Sequence, residues 1–265
     1  MCASVTGSGC RSERPPPDRP SQPTLTVAPD PNASRATGTG RRVVAVGQIA
    51  QPWHVGTWSP ASITLSEVAA GDAIVVLGAY WGDLEARSST APTDLHGTLQ
   101  DIINQGSSTV GRKKPPVFAQ LYVELDAQPG PHTIVPPYLG GPAGDGTLYV
   151  VQVRGLTERR VITSGQRWTT GTALPDVSVA LDGEPVPGDL IIAIGGYDNT
   201  TPRDHAGFSH PPAGWLPLGI LDDPANNVPS ELCYRVADDA HAGSVTWTWT
   251  DPTVNVTAAA IAALR

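Results

Sequence analysis

Gly71-Asp72-Ala73-Ile74-Val75-Val76-Leu77-Gly78-Ala79-Tyr80 recurs 117 positions later as Gly188-Asp189-Leu190-Ile191-Ile192-Ala193-Ile194-Gly195-Gly196-Tyr197, without a gap and with five of ten residues identical. A glycine free to take positive φ, followed by an aspartate able to accept backbone N–H groups, is turn chemistry. The apolar run that each turn launches is too continuous for a strand with one solvated face, so each copy reads as a central strand. Gly78 and Gly195 are expected to mark a bulge or the close approach of another backbone.

The repeat extends outward from these strands. Leu121-Tyr122-Val123-Glu124-Leu125-Asp126 is matched with Cys233-Tyr234-Arg235-Val236-Ala237-Asp238, and the strand before Arg154 with the closing Ala260-Ile261-Ala262-Ala263-Leu264-Arg265. Short β-branched and apolar runs separated by Gly, Pro, Asp and Asn predict strands at 43–46, 63–67, 73–80, 117–125 and 148–153. A second series is predicted at 161–163, 177–181, 190–195, 232–236, 245–250 and 258–264. The apolar spacing of Leu95, Leu99, Ile102 and Ile103 predicts a short helix over 95–104, within an insertion from about Gly82 to Pro116. The order of elements is the same in both halves, which implies a tandem duplication.

The expected fold is all-β: two tandem antiparallel, jelly-roll-like β-sandwich domains at 43–156 and 157–265, preceded by an extended arm at 1–42. The composition agrees, because 28 Gly and 27 Pro in 265 residues disfavour a helical fold and 40% hydrophobic residues suffice for a core. The arm holds seven prolines and six arginines against Glu13, Asp18 and Asp30, and reads as an uncored segment, either a disordered or mis-assigned extension or one that orders on a partner subunit. The whole chain carries −8, which leaves −11 on the body and argues against nucleic acid as a partner. No apolar run is long enough to cross a bilayer, and the first 30 residues lack the apolar segment of a secretory signal. Cys2, Cys10 and Cys233 are too far apart in sequence for a zinc motif or a small disulfide scaffold.

Residues 176–265 resemble a β-sandwich domain that recurs in tail-associated and other virion proteins of bacteriophages, and in bacterial surface proteins. The resemblance rests on Gly188-Asp189, Pro212-Ala213-Gly214-Trp215 with Leu218-Gly219, Cys233-Tyr234-Arg235-Val236, Ala242-Gly243-Ser244 before Thr246-Trp247-Thr248-Trp249, and the Ala-rich final strand. The first half has no Pro-Ala-Gly-Trp. The resemblance implies a structural or adhesive virion component, a homo-oligomer held to other virion subunits through residues 1–42, with a host-surface glycan as a further partner.

No residues point to catalysis. Gly106-Ser107-Ser108-Thr109-Val110-Gly111 lacks the Lys-Ser/Thr ending and the βαβ setting of a phosphate loop, and there is no Gly-x-Ser-x-Gly elbow. Asp198, Asn199, Asp204, His205 and His210 are metal-ligating types in one loop, but their spacing matches neither an EF-hand nor a zinc motif, and they read as a solvated loop. His54, His96, His132 and His241 read as isolated surface or capping residues. Strand alternation puts Trp247 and Trp249 on one core-facing side. No cofactor and no bound metal are expected. Trp53, Trp58, Trp81, Asp198, His205 and His210 are the candidate ligand or partner contacts, and the alternative function is a carbohydrate-binding module with exposed tryptophans as its platform.

Overall fold

The computed structural model describes residues 24–27, 40–51, 62–82, 91–103, 117–136, 144–170, 174–198, 208, 212–221, 228–238, 243–249, 254 and 256–265. Among them the protein is all-β. The first half contributes β1 (Thr24–Val27), β2 (Arg42–Gln51), β3 (Ser62–Val68), β4 (Ala73–Gly82), β5 (Thr93–Asp94), β6 (Gln100–Ile103), β7 (Val117–Glu124), β8 (Gly130–Val135) and β9 (Gly144–Arg154). The second contributes β10 (Val161–Thr170), β11 (Asp176–Ala180), β12 (Leu190–Asp198), β13 (Leu216–Leu221), β14 (Ser230–Val236), β15 (Ser244–Thr248) and β16 (Val256–Leu264). No helix among the described residues is long and apolar enough to cross a membrane.

The two halves share one topology. Five-stranded sheets run in the order β2-β9-β4-β7-β6 and β10-β16-β12-β14-β13, so strands of matching rank occupy matching places. Each is covered on one face by a smaller sheet, β1-β3-β8-β5 in the first half and β11-β15 in the second. Irregularities repeat too: the ladder slips between Val43 and Ala45 in β2 and between Val161 and Thr163 in β10, then again between Asp101 and Ile103 in β6 and between Pro217 and Gly219 in β13. Paired hydroxyls bridge the small sheets at Thr64–Thr133 (2.8 Å) and Ser178–Thr246 (2.7 Å). Within the proline-rich stretch, β1 pairs in parallel with β3, and Arg41 is buried.

The uncovered faces of the two large sheets pack on each other. Val75, Leu77, Leu121, Val123 and Val151 of the first half share a buried cluster with Ile192, Ile194, Leu232, Ala260 and Ala262 of the second. Their alternate neighbours turn outward: Ile74, Val76 and Tyr122 pack with Ile63 and Leu65, while Ile191, Ala193 and Cys233 pack with Val177, Val179 and Trp247. The order is therefore small sheet, large sheet, large sheet, small sheet. This explains why the Gly-Asp strands are apolar at nearly every position and why all of β16, rich in alanine, is buried. Contacts across the centre are partly reciprocal: β2 meets β13 as β10 meets β6, and the equivalent β4 and β12 face each other, but β7 packs more closely on β16 and β12 than β14 does on their counterparts β9 and β4. Polar groups cross here as well: Tyr149 Oη donates to the Ser230 carbonyl (2.9 Å), and the Thr147 and Ser230 hydroxyls lie 2.5 Å apart.

Several sequence expectations change. The 95–104 segment is not helical: its described part turns at 95–97 and enters β6, which pairs with β7, leaving Leu95 66% exposed. A tertiary ladder has overridden a weak apolar spacing. That strand occupies the place of β13, so the first half fills the Pro-Ala-Gly-Trp position with His96-Gly97-Thr98-Leu99, and 95–103 belongs to the repeat. The matching of Tyr122 with Tyr234 is one residue out. Val75 pairs with Val123 and Ile192 with Tyr234, so Tyr122 corresponds to Cys233, and the two tyrosines lie on opposite faces of their sheets. Gly78 and Gly195 mark neither a bulge nor a neighbouring backbone. Their ladders are regular, and what lies over them is an aromatic ring, Tyr80 over Gly78 and Trp247 over Gly195, the latter 2.5–2.9 Å from an added Cβ.

Candidate functional site

The repeated Gly-Asp turns build matching ionic clasps. Gly71 (φ +80°) and Gly188 (φ +93°) take the left-handed conformation, and the next carboxylate accepts a backbone N–H three residues back, from Ala69 (3.0 Å) at Asp72 and from Val186 (2.9 Å) at Asp189. Each carboxylate also receives a bidentate guanidinium from the end of a neighbouring strand. Arg154 reaches Asp72 at 2.8 and 2.8 Å, and Arg265 reaches Asp189 at 2.7 and 2.8 Å. Burial raises both carboxyls, but the arginine and backbone hydrogen bonds outweigh it and hold them below the ordinary carboxylate value. The clasps differ in one partner: Gln152 donates to Asp72 (2.5 Å), whereas Arg41 crosses from the first half to the Gly188 carbonyl and to Asp189 (3.4 Å). These charges lock strand ends together, which is a structural task.

Among the described residues, a second cluster occurs in the first half alone. Asp94 on β5, Glu124 at the end of β7 and His132 on β8 bring three donor atoms within 4.8 Å of one another. Strand β5 pairs with β8, placing Asp94 opposite Ile134, and the inward side chain of His132 points at the large sheet where Glu124 ends its strand. His132 is 1% exposed, which corrects its reading as a surface residue. Its Nδ1 lies 2.5 Å from Asp94 Oδ2 and 4.0 Å from Glu124 Oε2, while Nε2 donates to the Gln128 carbonyl at 2.8 Å. Asp94 Oδ1 accepts the His96 backbone N–H (2.9 Å). Glu124 Oε2 is buried without a hydrogen-bond partner. Gly97 lies directly on the Glu124 carboxylate, where any side chain would collide with it. Burial, and next the charge of Asp94, push the Glu124 carboxyl up. Burial works to lower His132, but the hydrogen bonds to Asp94 and Gln128 prevail and raise it.

The matching place in the second half holds different chemistry. Register puts Arg235 at the position of Glu124, Trp215 at that of Leu99 and Val245 at that of His132. An open pocket of about 520 Å³ lies there, lined by Pro212, Ala213, Trp215, Arg235, Thr246 and Thr248. The Arg235 guanidinium sits 5.8 Å from the Trp215 ring centre and 3.3 Å from Asp238. Trp215 is only 5% exposed, so it forms a wall of the pocket and offers no stacking platform.

Trp53, Trp58, His205 and His210 lie outside the described residues, as do the side chains of Trp81 and Asp198, which stand at the ends of β4 and β12. Trp247 and Trp249 are buried at 1% and 8%, on one face as the alternation required. The sequence reading missed the Asp94 cluster because its members are spread over 39 residues and the shortest gap between them holds no recognisable motif. The only signal was a substitution within the repeat, an acid and a histidine where the other copy has Arg235 and Val245. In comparisons with known proteins, no family model matches the chain, and neither a curated protein nor a solved structure matches it.

Proposed function

We propose that the chain is a non-catalytic structural or adhesive component of a phage-like particle, anchored through residues 1–42. The observation that carries this reading is the shared central core, which joins two copies of a sandwich face to face into one body with strand ends clasped by ion pairs. Such a body holds its loops in fixed relative positions, which suits a subunit that must present surfaces to neighbours or to a host. The resemblance of residues 176–265 to virion sandwich domains supports the same reading. Deleting residues 1–23, which keeps β1 on β3 and the cross-half bonds of Arg41, is expected to abolish incorporation into particles while the thermal unfolding transition persists. Normal incorporation of the truncated chain would overturn the anchoring role.

The pocket beside Trp215 and Arg235 favours a second reading, a carbohydrate-binding module. Its size suits a small polar ligand, and Arg235 with the β15 threonines supplies hydrogen-bond donors. Screening the full chain on a glycan array decides between the two: binding lost in Arg235→Ala or Trp81→Ala supports the module, and an array without signal removes it.

A further inference from the structure

We propose that Asp94, Glu124 and His132 form a binding site for one divalent transition-metal cation of the Zn²⁺ class. The site goes beyond the particle reading and does not depend on it. An imidazole and two carboxylates are a donor set suited to such ions, and their ligating atoms already lie within 4.8 Å of one another. The imidazole is oriented as metal-bound histidines are: Nε2–H is committed to the Gln128 carbonyl, so Nδ1 is the nitrogen that faces the carboxylates, and an incoming cation takes the place of the proton that Nδ1 shares with Asp94 Oδ2.

The independent observation is Glu124. Its side chain is about nine-tenths buried, and its Oε2 has no hydrogen-bond partner while facing Nδ1 from 4.0 Å. A buried carboxylate oxygen left without a partner is costly, and a cation between it and Nδ1 removes that cost. Two ionised carboxylates with a neutral imidazole carry −2, which one divalent ion balances. Ligands about 2.0–2.2 Å from a tetrahedral centre stand roughly 3.4 Å apart. Loading therefore needs Nδ1 and Asp94 Oδ2, now 2.5 Å apart, to separate by about 1 Å, and Glu124 Oε2 to close in by a little less. Nitrogen ligation selects against Ca²⁺ and Mg²⁺, which take oxygen donors. The fold itself does not require the cluster, since the second half keeps the topology with Arg235 and Val245 at the corresponding positions. An ion here would pin β5 to β8 and to the end of β7.

The test uses the full, untagged chain stripped with a chelator and titrated calorimetrically with ZnCl₂ and, separately, CaCl₂, with thermal unfolding followed in parallel. The expected result is saturation at about one Zn²⁺ per chain, a higher unfolding temperature with Zn²⁺ and no comparable response to Ca²⁺. Glu124→Gln, which preserves shape, is expected to weaken Zn²⁺ binding by about tenfold or more, as is His132→Val, which copies the other half. The absence of saturable Zn²⁺ binding overturns the proposal. So does one-to-one binding that Glu124→Gln leaves unchanged, and an equal response to Ca²⁺ overturns the assignment of cation class.

Discussion

The Asp72 and Asp189 clasps are built from the same parts and differ in reach. Both combine a left-handed glycine, a carboxylate, a backbone N–H three residues back and a bidentate arginine. Asp72 takes its remaining partner from Gln152 on the same sheet, so its clasp closes within one half. Asp189 takes Arg41 from the other half, so its clasp also ties the two sandwiches together. Local chemistry was copied with the repeat, and the crossing arginines differ in target: Arg41 reaches the clasp carboxylate itself, while Arg159, its counterpart, crosses the other way to the exposed Asp126 at 2.7 Å.

The largest expected effect comes from breaking that difference. Asp189→Ala takes from Arg41 and Arg265, with side chains 9% and 16% exposed, the buried carboxylate they share, leaving Arg265 only the exposed Glu158 at 3.6 Å, and should cost about 3–5 kcal/mol. Asp72→Ala should cost less, because the Arg154 side chain is 37% exposed and can turn to water. Denaturant unfolding of both variants measures this, and an equal loss would remove the distinction. Both carboxyls titrate below the ordinary value of 3.8, so their contribution is complete above that pH and is lost as pH falls through their folded pKa values. The acid limb of the stability curve should flatten in either variant.

A second contrast lies opposite the glycines. Gly78 pairs with Gln120 and Gly195 with Glu231, so one half has an amide where the other buries a carboxyl. Burial pushes Glu231 from 4.5 up to about 7. The folded state then holds a proton that the unfolded chain releases, and stability falls as pH rises between those values, by about 3 kcal/mol in all. Glu231→Gln should abolish that decline and resemble the wild type at pH 4, as unfolding at several pH values would show. A decline that persists in the variant would place its cause elsewhere.

Smaller effects grade the remaining contacts. Tyr149→Phe removes hydrogen bonds to the Ser230 carbonyl and hydroxyl across the centre and should cost about 1 kcal/mol in equilibrium unfolding. Thr64→Val breaks a hydroxyl pair on the outer sheet, with an expected loss of roughly 0.2–1 kcal/mol, similar to the loss for Ser178→Ala. A much larger loss at either position would show that the small sheets do more than cover the large ones.

The fold class and the repeat were legible because the Gly-Asp strands are buried on both faces and so stand out as continuous apolar runs. The edge and covering strands were harder to read. Strand β13 carries Pro217 and Gly219, β8 contains Pro131 and a buried histidine, and β5 is two residues long, so none shows alternation strong enough to stand alone. The sequence pointed to two tandem sandwiches but carried no sign that the apolar inner faces of Leu77, Ile194 and Ala260 share one core. The clasp arginines lay at corresponding ends of aligned strands, but a charge after an apolar run does not reveal its partner 82 or 76 residues away. Asp94, Glu124 and His132 were invisible for the same reason, since only pairing between strands brings them together.

The contacts of β2 with β13, of β10 with β6 and of β4 with β12 follow the logic of a twofold homodimer, in which a patch meets its own copy, and the closer packing of β7 on β16 departs from it. In two identical chains, every change at such a contact occurs twice and must suit both sides. Covalent fusion lifts that requirement. Once the repeats share one chain, Arg41 can serve a single clasp, and an acid–histidine cluster can arise in one copy while a pocket opens at the same place in the other. The asymmetry between the halves is what fusion permits and symmetry would have forbidden.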